Sequence, residues 1–410
     1  MVASEATTLL GHSSNQHQPN LRLQWTIVFS CLSLFVYALW QCQAVRGVWP
    51  PVVAAVSLAG AAFLAMVDYI EKLETGTKRW SEEKAKTWYA KQPWLVGANF
   101  LPSSASNQLE MFQKETFDLP TIDRELGYTS KIGMNTVRVF LHDLLFEQDP
   151  NGFLGRVDAF LEVSKRHGIR PLIVFFDSCW APYPHLGRQE EPVPGVHNSR
   201  WVKSPGLAAL ADYTQHPRLE HYVRSVILRF KTDERILGWD LWNEPENSMS
   251  PEHLAIVTKL LPQVFRWARE EGATQPLTSG LWNGIKLDDF QLMQIDLSDI
   301  ISFHNYSNGQ DFESEVKKLK LFNRPLICTE WLARPHSQVG QVLPVGKREN
   351  VGMINWGLVD GRMQTKFPWD SVGNPYDHEP VPWFHELLHR DGTPYSREEY
   401  DLFKRFTSRV

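Results

Sequence analysis

Cysteine is scarce in this chain, with four among 410 residues. Cys31 and Cys42 fall in an apolar N-terminal region, and Cys179 and Cys328 fall near the ends of two strand-like runs. That scatter excludes a disulfide framework, and no Cys or His pair has the spacing of a zinc site. The pattern is compatible with a reducing compartment. An excess of basic residues is also lacking: 42 Lys and Arg against 47 Asp and Glu leave a net charge of −5. No nucleic-acid partner is therefore expected. Asn-x-Ser/Thr occurs once, at Asn305-Tyr306-Ser307. It stands at a predicted strand end rather than in a surface loop, so nothing signals glycosylation. No internal repeat is visible.

What the chain does have begins with two long uncharged runs. Leu23 to Val45 contains 23 residues and Gly47 to Val67 contains 21, separated by Arg46. About 20 apolar residues span a bilayer, so each run suffices alone. Gly47, Pro50 and Pro51 supply a turn, and Trp25, Trp40 and Trp49 fall near the expected interfaces. The expectation is a transmembrane helical hairpin over 23–67, preceded by a polar disordered tail at 1–22. A helical linker at 68–91, packed on the next domain or standing as a stalk, leads into a catalytic domain at 92–410. A secretory signal peptide fits badly, because the run starts late and lacks a basic leader. Arg22 before the hairpin and Lys72, Lys78, Arg79, Lys84 and Lys86 after it outnumber the single Arg46 in the turn. The positive-inside rule then favours cytoplasmic termini and a cytoplasmic-facing domain, the alternative being lumenal or extracellular.

From residue 92 onward, strands alternate with helices. Strand-like runs lie at 94–100, 135–140, 171–177, 236–243, 276–282, 299–306, 325–331 and 352–358. The run Pro171-Leu-Ile-Val-Phe-Phe-Asp177 is almost unbroken in its apolarity, as a strand buried on both faces must be. Eight strand–helix units predict a closed (β/α)8 TIM barrel. The segment from Ser178 to about Leu219 is too long for a routine connection and reads as a functional loop over the strand ends.

Two of these runs end in a polar cluster containing a glutamate: Trp239-Asp-Leu-Trp-Asn243-Glu244-Pro and Ile327-Cys-Thr-Glu330-Trp331. Strands of one parallel barrel open on the same face, where such barrels carry their chemistry. Two carboxyls there are the minimum set for cleaving a glycosidic bond, one protonating the leaving oxygen and one attacking the sugar carbon. Arg138, inside an apolar strand, needs a carboxylate partner. Asp177 and Trp180 close the third strand, the tryptophan placed as a sugar platform. His304 and Tyr306 project to the same side of the sixth. Trp356 ends the eighth, before a loop through Gln364, Lys366 and Trp369 that interleaves polar groups with aromatics.

Over roughly residues 94–395 the chain resembles glycoside hydrolase clan A, most closely the cellulase-like family 5. The resemblance implies Glu244 as acid/base, Glu330 as nucleophile and Asn243 as the ligand of the sugar 2-hydroxyl. It further implies Arg138, His304 and Tyr306 as supporting groups and Trp356 as the subsite platform. Many members carry a histidine on the third strand where this chain has Asp177-Ser178, which weakens transfer of sugar preference. The implied activity is that of a membrane-anchored retaining O-glycosyl hydrolase acting on a carbohydrate or glycoconjugate, a glycolipid included, with no cofactor and no metal. Transglycosylation on the same scaffold, or a silent membrane-bound glycan-binding barrel, are the alternatives.

Overall fold

The computed structural model of the protein describes residues 78–408, with Asn283 excepted. The hairpin expected at 23–67 and the tail at 1–22 lie outside the described residues. No helix among the described residues is long and apolar enough to cross a membrane.

Eight parallel strands appear where the apolar runs place them. They are β1 (Val96–Asn99), β2 (Thr136–Phe140), β3 (Leu172–Asp177), β4 (Gly238–Asn243), β5 (Leu277–Gly280), β6 (Ile301–His304), β7 (Leu326–Glu330) and β8 (Gly352–Asn355). Every residue of all eight strands is buried. That is the cost of having side chains in the barrel interior on one face and under helices on the other. The sheet runs β5-β4-β3-β2-β1-β8-β7-β6. A single parallel bridge, Leu281 to Phe303, joins its two ends, and His304 N donates to Leu281 O at 2.9 Å. The barrel is thus nearly closed, with β5–β6 as its thinnest seam.

Amphipathic helices follow the strands, including Leu119–Lys131, Pro150–Arg166, His216–Phe230 and Pro251–Glu270. Asp118, Asp149 and Ser250 cap three of them by accepting from backbone N–H groups of the first turn. Such caps contribute about 1 kcal/mol each.

The described part of the linker does not stand free as a stalk. Its helix, Glu82–Ala90, capped by Ser81, lies under the N-terminal end of the barrel. Tyr89 packs there with Leu95, Leu172, Leu237, Ile300, Ile327 and Ile354, which lie in or just before six of the strands. Trp80 N donates to Asp299 Oδ1 at 2.8 Å and the Tyr89 hydroxyl to Asn350 O at 3.1 Å. The barrel domain therefore begins before residue 92.

Candidate active site

The C-terminal ends of the strands surround a cavity of about 340 Å³, lined by Cys179, Trp180, His197, Trp201, Asn243, Glu244, Asn247, Trp282, Tyr306, Glu330, Trp356 and Trp369. Arg138 lies beneath it, fully buried. Its guanidinium donates to Glu330 Oε1 at 2.9 Å, Asn243 Oδ1 at 2.6 Å, Asn99 Oδ1 at 3.0 Å, and Asp240 Oδ2 at 2.8 and 3.1 Å. One planar donor group thus ties β1, β2, β4 and β7 together. The arginine is at once a buried ion pair with Asp240 and the partner of Glu330.

Glu330 ends β7 with Oε1 on Arg138 and Oε2 accepting from the Tyr306 hydroxyl at 2.7 Å. Glu244 follows β4 in the left-handed region at φ 43°. That conformation is strained for a residue with a Cβ, and it turns the carboxyl into the barrel mouth. Its Oε2 accepts from Asn247 Nδ2 at 2.6 Å and from the Cys179 thiol at 3.1 Å. Its Oε1 is 2.5 Å from His304 Nδ1. Oxygens of Glu244 and Glu330 and the ring nitrogen of His304 all lie within 4.8 Å of one another. Among the described residues this is the one cluster whose donor atoms converge closely enough to hold a metal ion. Arg138 already occupies one Glu330 oxygen, an arrangement that suits organic chemistry between two carboxyls.

Burial lifts both glutamates to about 7. It pushes His304 the other way, to about 4, so the imidazole is neutral at physiological pH. Its short contact with Glu244 is therefore a hydrogen bond, and the nearest positive charge to Glu330 is Arg138. With a cation and a hydroxyl both donating to it, Glu330 is the better carboxylate of the pair, and the shared proton belongs on Glu244. Burial also raises the Cys179 thiol well above its ordinary value, keeping it protonated as a donor to Glu244. Gly280 on β5 makes room for this arrangement, since a Cβ there would lie 3.1 Å from His304 Nε2.

Asn243 is held from both sides. Its oxygen accepts from Arg138 and its Nδ2 donates to Asp177 Oδ1 at 2.9 Å. Asp177 also accepts from Trp201 Nε1 and Cys179 N, so it does not line the cavity and acts through Asn243. Trp356 is fixed edge-on against Phe140 and Trp201, at centroid distances of 6.0 and 5.7 Å. Trp180, 38% exposed, stands at the rim.

Sequence reasoning missed Asp240, Asn99, Cys179, Asn247, His197 and Trp282. Asp240 was detectable, because an aspartate inside an apolar strand needs a cation as much as Arg138 needs an anion. Asn247 and His197 sit in loops, where no periodicity gives a side chain its direction.

No protein-family model matches the chain, and no curated protein does either. Solved structures do match. An exo-β-1,4-mannosidase, Op5Man5, from Opitutaceae bacterium strain TAV5 superposes with TM-score 0.52 at 18% identity, over 76% of this chain. The match spans only 59% of the mannosidase's length. A GH5_18 variant from Streptomyces cattleya in complex with Manβ1-4GlcNAc matches with TM-score 0.52 at 14% identity, over 77% of this chain and 81% of that one. An endo-1,4-β-mannanase from Rhizomucor miehei matches with TM-score 0.50 at 12% identity, over 77% and 95%. The chain carries the barrel fold of the family 5 glycoside hydrolases.

Proposed function

We propose that the protein is a retaining O-glycosyl hydrolase that cleaves a β-linked glycoside by double displacement. The observation that carries this reading is the approach of Glu244 and Glu330, with one oxygen of each within 4.8 Å. A retaining enzyme needs its carboxyls about 5–5.5 Å apart, whereas an inverting one needs roughly 6.5–9.5 Å to seat a water between them. Glu330, oriented by Arg138 and Tyr306, attacks the anomeric carbon as the bond to the leaving oxygen breaks. Glu244 delivers its proton to that oxygen. Asn243 holds the 2-hydroxyl, where a hydrogen bond strengthens as positive charge develops on the ring. Once Glu330 is an ester its charge is gone, Glu244 becomes more acidic, and as a carboxylate it takes a proton from the water that releases the sugar. The mannose-directed names of the structural neighbours make β-mannosides the first substrates to test.

This proton economy sets the pH dependence. The rate needs one proton on the pair, which titrates as a unit. With burial holding both groups near 7, kcat/KM should fall as pH rises through about 7 and Glu244 loses its proton. It should fall again on the acid side, as Glu330 gains one. The expected profile is a bell with its optimum below 7. An optimum above pH 8 would contradict the assignment of Glu244 as the acid.

We also propose that residues 23–67 anchor the enzyme as a helical hairpin with the barrel on the cytoplasmic side. The two uncharged runs and the flanking basic residues support this reading. A membrane-proximal glycoconjugate, glycolipids included, is then the natural substrate class. In sealed, inside-in vesicles, protease should spare both an N-terminal tag and the barrel. Opposite accessibility of the two would eliminate the hairpin.

A further inference from the structure

The mouth of the barrel is walled rather than open. The loop after β3 and the loop after β8 are sewn together by their backbones, Tyr376 N donating to Gly195 O and Asn198 N to Met363 O, each at 3.0 Å. Gly195 has φ 75°, and a Cβ there would lie 1.9 Å from the Tyr376 carbonyl oxygen. Only glycine permits that approach. The loop after β1 joins the same wall, since Arg362 N donates to Ser103 O at 3.1 Å and Asn107 Nδ2 to Arg200 O at 2.9 Å. On the other flank the β8 loop reaches across to β6, where Trp369 stands edge-on to Tyr306 at 5.0 Å between ring centroids. The remaining side is that of β4 and β5, bordered by Glu244, Asn247 and Trp282. It is also the side of the proton donor, past which the leaving group departs.

His197 is set into the seam of this wall. Its backbone N donates to Ser371 Oγ and its Nδ1 to Phe367 O, both at 2.8 Å. A carbonyl only accepts, so Nδ1 carries the hydrogen. Burial lowers this imidazole to about 4, leaving it neutral. Nε2 is then a bare acceptor. No described residue bonds it, it is not sealed from solvent, and the ring lines the cavity. The cavity, at about 340 Å³, lies at the small end of the ~300–1,000 Å³ range of ligand pockets.

Resting on the hydrolase reading above, we infer that this is an exo-acting enzyme whose walled pocket takes one terminal glycosyl unit, with His197 Nε2 accepting a hydrogen bond from a hydroxyl of that sugar. A chain extended beyond the first sugar would have to pass through the seam between the β3 and β8 loops. The leaving group, bounded only by the β4–β5 side, is left free to be large.

The test uses the full chain and 2-deoxy-2-fluoro-β-glycosyl fluorides of gluco and manno configuration. Each is offered as the monosaccharide and as the disaccharide bearing a β-1,4-linked sugar, with covalent labelling followed by intact mass. The monosaccharide should label at least about tenfold faster, adding one hexosyl unit. Equal or faster labelling by the disaccharide overturns the exo assignment while leaving the hydrolase standing. No labelling by any probe removes the hydrolase reading and this inference with it. His197→Ala should lower the labelling efficiency of the preferred monosaccharide about tenfold, the scale of one neutral hydrogen bond at its upper end. Against the 3-, 4- and 6-deoxy versions of that probe, the ratio of wild type to variant should fall to about one for a single probe, the one lacking the recognised hydroxyl. An equal ratio across all probes would mean that the variant had only loosened the wall, and would refute recognition by His197.

Discussion

Glu330→Gln is expected to abolish turnover, with kcat falling by a factor on the order of 10⁴ to 10⁶, the range seen when one member of a serine protease's catalytic triad is removed. The amide cannot form the glycosyl ester, and no other carboxylate on the described face touches both Arg138 and Tyr306. The fold should survive, because a neutral side chain at this buried position relieves the desolvation that lifts Glu330 to about 7. Thermal unfolding measured beside the kinetics separates the two effects. Glu244→Ala should behave differently. Substrates with good leaving groups need little protonation and should still form the intermediate, which then accumulates for want of a base. Azide, small enough to enter the vacated space and needing no deprotonation, should restore deglycosylation. A Glu330→Gln protein with near-normal kcat, or a Glu244→Ala protein equally dead on every substrate, would contradict the assigned roles.

Arg138→Ala is expected to cost both catalysis and stability. Removing the guanidinium leaves the Asp240 and Glu330 carboxyls buried without their cation and strips donors from Asn99 and Asn243. Breaking one partner of a buried ion pair typically destabilises by about 3–5 kcal/mol. Arg138→Lys should recover little, since a single ammonium cannot reproduce the forked contacts. Arg138→Met combined with Asp240→Leu offers a sharper separation. Removing the Asp240 charge along with the guanidinium should restore part of the stability and none of the activity, since Glu330 still lacks its cation. Chemical denaturation reads the first quantity and kcat/KM the second. A loss below about 1 kcal/mol for Arg138→Ala would show that the buried network does not hold the strand ends together.

The fold was legible because parallel strands buried on both faces leave a plain mark. Leu172–Asp177 and Leu326–Glu330 fall inside the runs expected at 171–177 and 325–331, shortened by a residue or two. The expected run at 276–282 contracts further, to Leu277–Gly280. The chain leaves regular pairing there, and Leu281 supplies only the bridge that closes the barrel. The two glutamates were legible by position, since a carboxyl straight after an apolar strand has one face on which to emerge. Asp177 lay in the right place, but its direction was not readable. Its oxygens are taken by Asn243, Trp201 and the Cys179 backbone, so it braces the site from behind. Cys179 and Asn247 reach Glu244 through loop backbone that carries no period, and the wall built from the β1, β3 and β8 loops rests largely on main-chain bonds. Nothing in a pattern of side chains announces such bonds.

The most direct measurement is covalent labelling of the intact protein with a panel of epoxide-type glycosidase inhibitors of different sugar configuration, followed by peptide mapping. At least one configuration should esterify Glu330, and the label should vanish in Glu330→Gln while Glu244→Gln still presents the nucleophile. A label carried on any other residue, or one indifferent to Glu330→Gln, would contradict the retaining mechanism proposed for this barrel.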